Sequence, residues 1–236
     1  MTTEQLGTVL VTGAASGLGA AVVAAVRDAG GRPIALDRVP VPDIGGGVPH
    51  QVVDLADSRA AEEATRRLVE GAGGTLDAVV TAAGTDTPAP FAKLDGETWD
   101  RIVAVNLLGT AAVVRASMPY LEAAANPRVV TVASTLGHRV FGDASAYCAS
   151  KFGVVGFTKA LQAELKGRIG VTLLTPGGMT TAFFDDRDEQ YKPGPDAKLN
   201  SPQAVAASVL FALQQPPESH LYELVVASPF EGSWPA

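Results

Sequence analysis

At 236 residues, 47% of them hydrophobic and 18% charged, the chain is long enough for one sizeable core and too evenly mixed for disorder. A formal net charge of -7 disfavours nucleic acid as a partner, because neutralising a phosphate backbone takes a basic face. Cys148 is the single cysteine, which excludes an internal disulfide and makes the cytoplasm the default compartment. Met1 to Gly7 lacks the basic flank and apolar run of a signal peptide, and no uninterrupted apolar stretch reaches membrane-spanning length, so a soluble protein is expected.

Residues 1–236 read as one domain. Thr8-Val-Leu-Val-Thr12 is a short β-branched run stopped by glycine, the pattern of a strand buried on both faces of a parallel sheet. Gly13-Ala-Ala-Ser-Gly-Leu-Gly19 then opens an alanine- and valine-rich helix running to Gly30-Gly31, where glycine can take the left-handed cap. Such a loop aims backbone N–H groups and the positive end of a helix dipole at one point, which suits a pyrophosphate. Gly13, Ser16, Gly17, Leu18 and Gly19 are therefore candidate cofactor contacts. The spacing is Gly-x-x-x-Gly-x-Gly, not the commoner Gly-x-Gly-x-x-Gly, and a plain tight turn is the competing reading.

Pro33-Ile-Ala-Leu-Asp37 reads as the second strand and ends in an acid about 20 residues beyond the loop, where dinucleotide folds bind the adenosine ribose. Asp37 should accept from the two ribose hydroxyls, and Ser16 stands where a 2′-phosphate would want a base, so NAD is favoured over NADP. Arg38 pulls the other way, as a phosphate partner or a solvent-facing arginine. Val39 to Pro49, with its prolines and Gly45-Gly-Gly47, is a surface loop. Val52-Val53 then leads into Asp54-Leu55. Asp54 either holds the adenine amino group or caps the helix from about Ser58 to Gly71.

Leu76-Asp-Ala-Val-Val-Thr81 is the fourth strand, and Ala82-Ala-Gly84 gives the backbone room beside a cofactor. The loop Thr85 to Pro90 edges the site. A long helix from Thr98 to about Ala124 carries Asn106 in an apolar stretch, where the amide must find partners, as a structural bridge or in a water relay. Arg128 to Ser134 is the fifth strand and delivers Ser134 to the carboxyl end of the sheet, with Thr135 as the competing hydroxyl.

The next helix, to about Lys166, holds Tyr147 and Lys151 four residues apart, one turn from each other on one face. A neighbouring ammonium favours the phenolate and lowers tyrosine from its usual pKa of about 10, making Tyr147 a candidate general acid/base. Gly170 to Thr175 is the sixth strand and ends at Pro176-Gly-Gly178. The charged, proline-interrupted stretch Phe183 to Lys198 reads as a mobile lid over the substrate, spanning about 182–200. A helix from Ala204 to Leu213 and a strand from Leu221 to Val226 follow, before a tail through Trp234. His138 lines the substrate pocket or is a polar loop residue; Met179, Phe183 and Phe184 grip an apolar substrate or anchor the lid. Cys148, beside the tyrosine, has a redox role or, as the favoured reading, is a small buried apolar filler, and no His, Cys, Asp and Glu grouping has the spacing of a metal site.

Together these motifs resemble the short-chain dehydrogenase/reductase family, over roughly Thr8 to Thr181. The resemblance implies an α/β fold, a single doubly wound parallel sheet of about seven strands with helices on both faces, or Rossmann fold. It makes Asn106, Ser134, Tyr147 and Lys151 the catalytic set, with Asn106 linking Lys151 to solvent through water. It places Asp54 and Leu55 at the adenine, Ala82, Ala83 and Gly84 beside the cofactor, and Pro176, Gly177, Met179 and Thr181 around the nicotinamide carboxamide. Tyr147 and Lys151 face the nicotinamide ribose in that scheme.

Hydride transfer between NAD and a small secondary alcohol or ketone is the implied reaction. The rivals are an NADP-linked carbonyl or ketoacyl/polyketide reductase and a dinucleotide sensor without turnover. A homodimer or homotetramer pairing the helices of Asn106 and Tyr147 is also implied. Two departures stand out. Thr81 replaces the usual asparagine of Asn-Ala-Ala-Gly, and the glycine-rich C-terminal ending is missing.

Overall fold

The computed structural model describes residues 6–42 and 47–234, so Met1–Gln5, residues 43–46 of the proline-rich loop and the last two residues lie outside the described residues. Thr8–Thr12 (β1) is buried along its whole length, as its two-sided apolar pattern requires. Side chains alternate across it: Leu10 faces one layer and Val9 and Val11 face the other. After β1 come the helix Gly17–Asp28 (α1), Arg32–Asp37 (β2), His50–Val52 (β3), the helix Ser58–Gly71 (α2) and Ala78–Thr81 (β4). Then follow the helices Gly96–Val103 (α3) and Thr110–Leu121 (α4), Arg128–Val132 (β5), the helix Ser145–Glu164 (α5), Gly170–Pro176 (β6), the helix Pro202–Leu213 (α6) and Glu223–Val226 (β7).

Among the described residues these seven strands form one sheet in the order β3-β2-β1-β4-β5-β6-β7. Every pairing is parallel. The chain starts mid-sheet, winds outward through β2 and β3, and returns past β1 to wind the other way. Strand order therefore reverses between β1 and β4, and a crevice opens beyond their carboxyl ends. On one face Leu10, Ile34, Leu36, Val79, Val129 and Val171 pack with residues of α2 and α4. On the other, Val9, Val11, Val80, Val130 and Leu174 meet Val22 and Val26 of α1 and Val205 and Val209 of α6. Each such side chain taken fully out of water contributes about 1.5–3 kcal/mol, enough to hold the strand ends in fixed register.

Several element ends differ from the sequence reading. The helix α2 is capped by Asp57, whose carboxylate accepts from the amides of Arg59 and Ala60, so Asp54 is not its cap. Asp57 stands directly before the first helical residue, as a cap must. The helix α6 starts earlier than expected, because Ser201 caps it and Pro202 occupies the first turn. The expected single helix around Asn106 is two α-helices joined by a π-helical stretch, Ala104–Gly109, beginning at Gly96 behind the Asp95 cap. Taken as one run, Gly96–Leu121 is long and apolar enough to cross a membrane by length and composition only. However, 56% of its most apolar window is buried in this domain.

Candidate active site

The glycine loop between β1 and α1 is shaped for close backbone approach. Gly13 has φ +69, and a Cβ there would meet Ala83 Cα at 2.8 Å. Gly17 has φ +53 and lies against the Thr181 methyl, while a Cβ on Gly19 would strike the Gly13 carbonyl. Only glycine meets these demands without strain. Ser16, exposed at the N-cap of α1, makes no side-chain capping bond, so the first-turn amides keep their capacity for an anion. Leu18 is buried beneath them.

Asp37 ends β2 beside this loop. Its carboxylate accepts from Ala15 N at 2.9 Å and Val39 N at 3.2 Å, so one acid both steadies the loop and faces the crevice mouth. Arg38 is exposed next to it. Asp54 accepts from Ala56 N and pairs with Arg101 at 2.8 Å. Its burial alone would raise its pKa, but the Ala56 amide and the Arg101 and Arg38 charges outweigh that and hold it below the usual carboxylate value. Leu55 is buried against Gly109.

After β4, Ala83 N donates to Thr12 Oγ1 at 3.0 Å, which ties Ala82-Ala-Gly84 to β1. A Cβ at Gly84 would stand 3.5 Å from Asn106 Oδ1 and 3.6 Å from Lys151 Nζ. Thr81, in place of the family asparagine, leaves its hydroxyl buried with no partner, so the bracing bond is not replaced. Pro176 and Gly177 are buried at the end of β6, where Gly177 N donates to Val226 O, and Gly178 N donates to Glu231 at 2.8 Å. Met179 bridges to Asn200, and the Thr181 hydroxyl caps the short turn Ala182–Phe184. The loop, the β2 acid and these strand ends fit a dinucleotide.

The proton-handling groups converge at the same edge. Lys151 Nζ lies 5.7 Å from the Tyr147 ring centroid and donates to Val132 O at 2.9 Å. Ser134, extended at the end of β5 and 9% exposed, accepts from Leu136 N and stands at the Tyr147 hydroxyl. Thr135 faces the other way and accepts from Ser233 at 2.7 Å. The expected lowering of the tyrosine does not occur. Burial pushes Tyr147 up to about 12; Ser134 and Arg187 lower it and Asp86 raises it. Burial also brings Lys151 down to about 8, against a smaller opposing pull from Asp86. In both cases loss of water outweighs the neighbours.

Asn106 is fully buried in the π-helical turn and its side-chain amide makes three hydrogen bonds. It accepts from Thr85 N, and donates to Thr85 O and to Ser150 Oγ. These bonds tie the site loop to α5.

The stretch expected to form a lid is tied to the rest of the domain at two points. Tyr191 donates to Asp143 at 2.9 Å, and Arg187 pairs with Asp86 at 2.9 Å. Phe183 lies against the Tyr147 ring, centroids 5.9 Å apart, whereas Met179 packs into the core. His138 bonds Thr175 and meets Trp234 edge-to-face, an anchor for the tail. Cys148 is buried and free. Sequence reasoning missed Asp86 and Arg187; the one signal was a lone cation in the acidic run Asp185-Asp-Arg-Asp-Glu189.

A doubly wound parallel sheet whose switch-point crevice carries a glycine loop, an acid at the end of β2 and a serine, tyrosine and lysine defines a nicotinamide-dependent oxidoreductase. A family model described as short chain dehydrogenase matches residues 7–192. The chain belongs to the short-chain dehydrogenase/reductase family and is an NAD(P)-dependent oxidoreductase of that family. It is 34% identical over 221 residues to D-threitol dehydrogenase of Mycolicibacterium smegmatis, covering 86% of this chain and 84% of that one. It is 31% identical to the 3-oxoacyl-[acyl-carrier-protein] reductase FabG of Thermotoga maritima, covering 86% and 88%. The fold matches that of an alcohol dehydrogenase from Thermococcus sibiricus complexed with 5-hydroxy-NADP, with a TM-score of 0.84, 22% identity and coverage of 95% and 97%.

Proposed function

We propose that this chain interconverts a small secondary alcohol and its ketone with NAD, and that Tyr147 moves the proton. The observation that carries this reading is the convergence of the Tyr147 phenol with Ser134 and with Lys151, whose Nζ is 5.7 Å from the ring centroid, at the carboxyl edge of the sheet. When bound, the nicotinamide accepts or supplies the hydride. In oxidation the ionised Tyr147 phenolate takes the hydroxyl proton as the carbon–hydrogen bond breaks; in reduction the Tyr147 phenol gives its proton to the substrate oxygen. Ser134 donates to the oxygen as charge develops there. Lys151 holds the nicotinamide ribose and supplies positive charge below the phenol, and Asn106 keeps Thr85 and α5 in place around both.

Asp37 supports NAD over NADP, because a 2′-phosphate would face a carboxylate already fixed by the Ala15 amide. Gly13 to Gly19 take the pyrophosphate, Asp54 and Leu55 the adenine, and Ala82 to Gly84 with Pro176 to Thr181 the nicotinamide end. The FabG relative and the exposed Arg38 support an NADP-linked carbonyl reductase as the second reading. Exposed Leu108 and Phe152, on the helices of Asn106 and Tyr147, support a homodimer or homotetramer through those helices. We assign the protein to the cytoplasm on its cysteine usage.

The test is Tyr147→Phe with NADH and NADPH titrations. Turnover of a secondary alcohol should fall at least about a thousandfold while NADH still binds. NADH should bind more tightly than NADPH, and Asp37→Ala should narrow the difference. Full turnover by the phenylalanine variant would reject the assignment.

A further inference from the structure

Arg187 of the lid and Asp86 of the loop after β4 pair at 2.9 Å, with side chains only 13% and 4% exposed. The guanidinium lies over Phe183 and Phe184, 4.8 and 4.7 Å from their centroids, and Phe183 in turn touches the Tyr147 ring. The charge pair is thus one aromatic ring away from the proton donor. Both members act electrostatically on that phenol. A clasp for the lid could stand anywhere along its rim, and burying an ion pair is costly unless every remaining polar atom is matched. Here one is not: Arg187 Nε is buried without an acceptor. An N–H in that condition calls for an oxygen from a bound molecule.

We propose that Asp86 and Arg187 are the specificity-determining pair of the alcohol/ketone site and select a neutral, polyhydroxylated substrate. Arg187 Nε donates to the oxygen on the carbon beside the reacting one, and Asp86 accepts from a substrate hydroxyl. This rests on the oxidoreductase reading given above. The pair is neutral as a whole, so a carboxylate substrate would stand beside the Asp86 charge uncompensated. A purely apolar substrate would leave the Nε donor sealed in and unbonded. A polyol or hydroxyketone meets both groups.

The test compares butan-2-ol, butane-2,3-diol and 2-hydroxybutanoate, and the matching six-carbon set, with NAD and NADP. Wild type should favour the diols by at least about tenfold in kcat/KM over the monoalcohols and over the hydroxy acids, a floor well below the roughly 10⁴-fold by which a site built for a hydroxyl can reject its absence. Arg187→Lys keeps the charge for Asp86 and removes the Nε donor. It should lose that preference, kcat/KM for the diol falling at least about tenfold further than that for butan-2-ol. Asp86→Asn, nearly isosteric, should show the same diol-specific loss, with NADH binding confirming that both variants are folded.

Equal wild-type rates on diol and monoalcohol, or an Arg187→Lys variant that retains the preference, would reduce the pair to a lid clasp and overturn the proposal. A preference for the hydroxy acid would overturn it too. Absence of turnover on every compound by wild type that binds NADH would overturn the oxidoreductase reading itself, a result distinct from the others.

Discussion

Lys151 is held in the fold at a cost that can be measured. Its ammonium is 4% exposed with Val132 O as its hydrogen-bond acceptor, and burial lowers its pKa from 10.5 to about 8. That lowering corresponds to about 3 kcal/mol against the charged form. Lys151→Met removes the charge and keeps an unbranched apolar stem. It leaves the Val132 carbonyl without its donor, which costs back about 1–2 kcal/mol. The variant should therefore be inactive yet more stable by on the order of 2 kcal/mol near pH 7.

The pH dependence fixes the cause. Below about 8 both folded and unfolded chains carry the proton and the full penalty applies; between about 8 and 10.5 the folded protein has released a proton that the unfolded chain keeps. Rising pH thus stabilises the wild type across that window and does nothing of the kind for the variant. Chemical denaturation of both proteins without cofactor should show the gap shrinking by about 2 kcal/mol between pH about 7 and 9.5. A gap that does not change with pH would show that Lys151 titrates as an ordinary lysine and refute the reasoning.

Thr81→Val deletes a buried hydroxyl that bonds nothing, and should raise stability by about 1 kcal/mol in a thermal or urea melt with turnover preserved. Gly13→Ala forces a side chain onto Ala83 at a backbone angle of φ +69. NADH fluorescence titration should show binding weakened at least about tenfold. Without cofactor, the wild-type minus Tyr147→Phe phenolate absorbance should rise near pH 12, above the ordinary tyrosine value of 10. Because the phenolate is the base for oxidation, alcohol oxidation should accelerate as pH rises toward that value.

The parts of the molecule that could be read from the sequence are those in which one residue's neighbours are sequence-local. β1, β5 and β6 announce themselves as β-branched runs because both their faces are buried. Tyr147 and Lys151 share a face because helical pitch puts them there. The π-helical turn at Asn106 was invisible, since it answers to the Thr85 backbone and Ser150 Oγ, which belong to other elements. The tyrosine shift was misjudged for a related reason: spacing reports a cation nearby but not the water taken away. Asp86 and Arg187, 101 residues apart, meet only through the fold.

The base of the lid has a consequence for engineering. Asn200 N donates to Gly178 O, Thr180 N donates to Asn200 O, and Asn200 Nδ2 reaches Val226 O, each at 2.9 Å. The stretch between Thr181 and Leu199 therefore leaves and re-enters the protein through a stapled neck. It is a natural cassette: foreign sequence of another length grafted between those two residues would inherit a fixed anchor, and could be exchanged to reprogram substrate choice without reworking the sheet underneath.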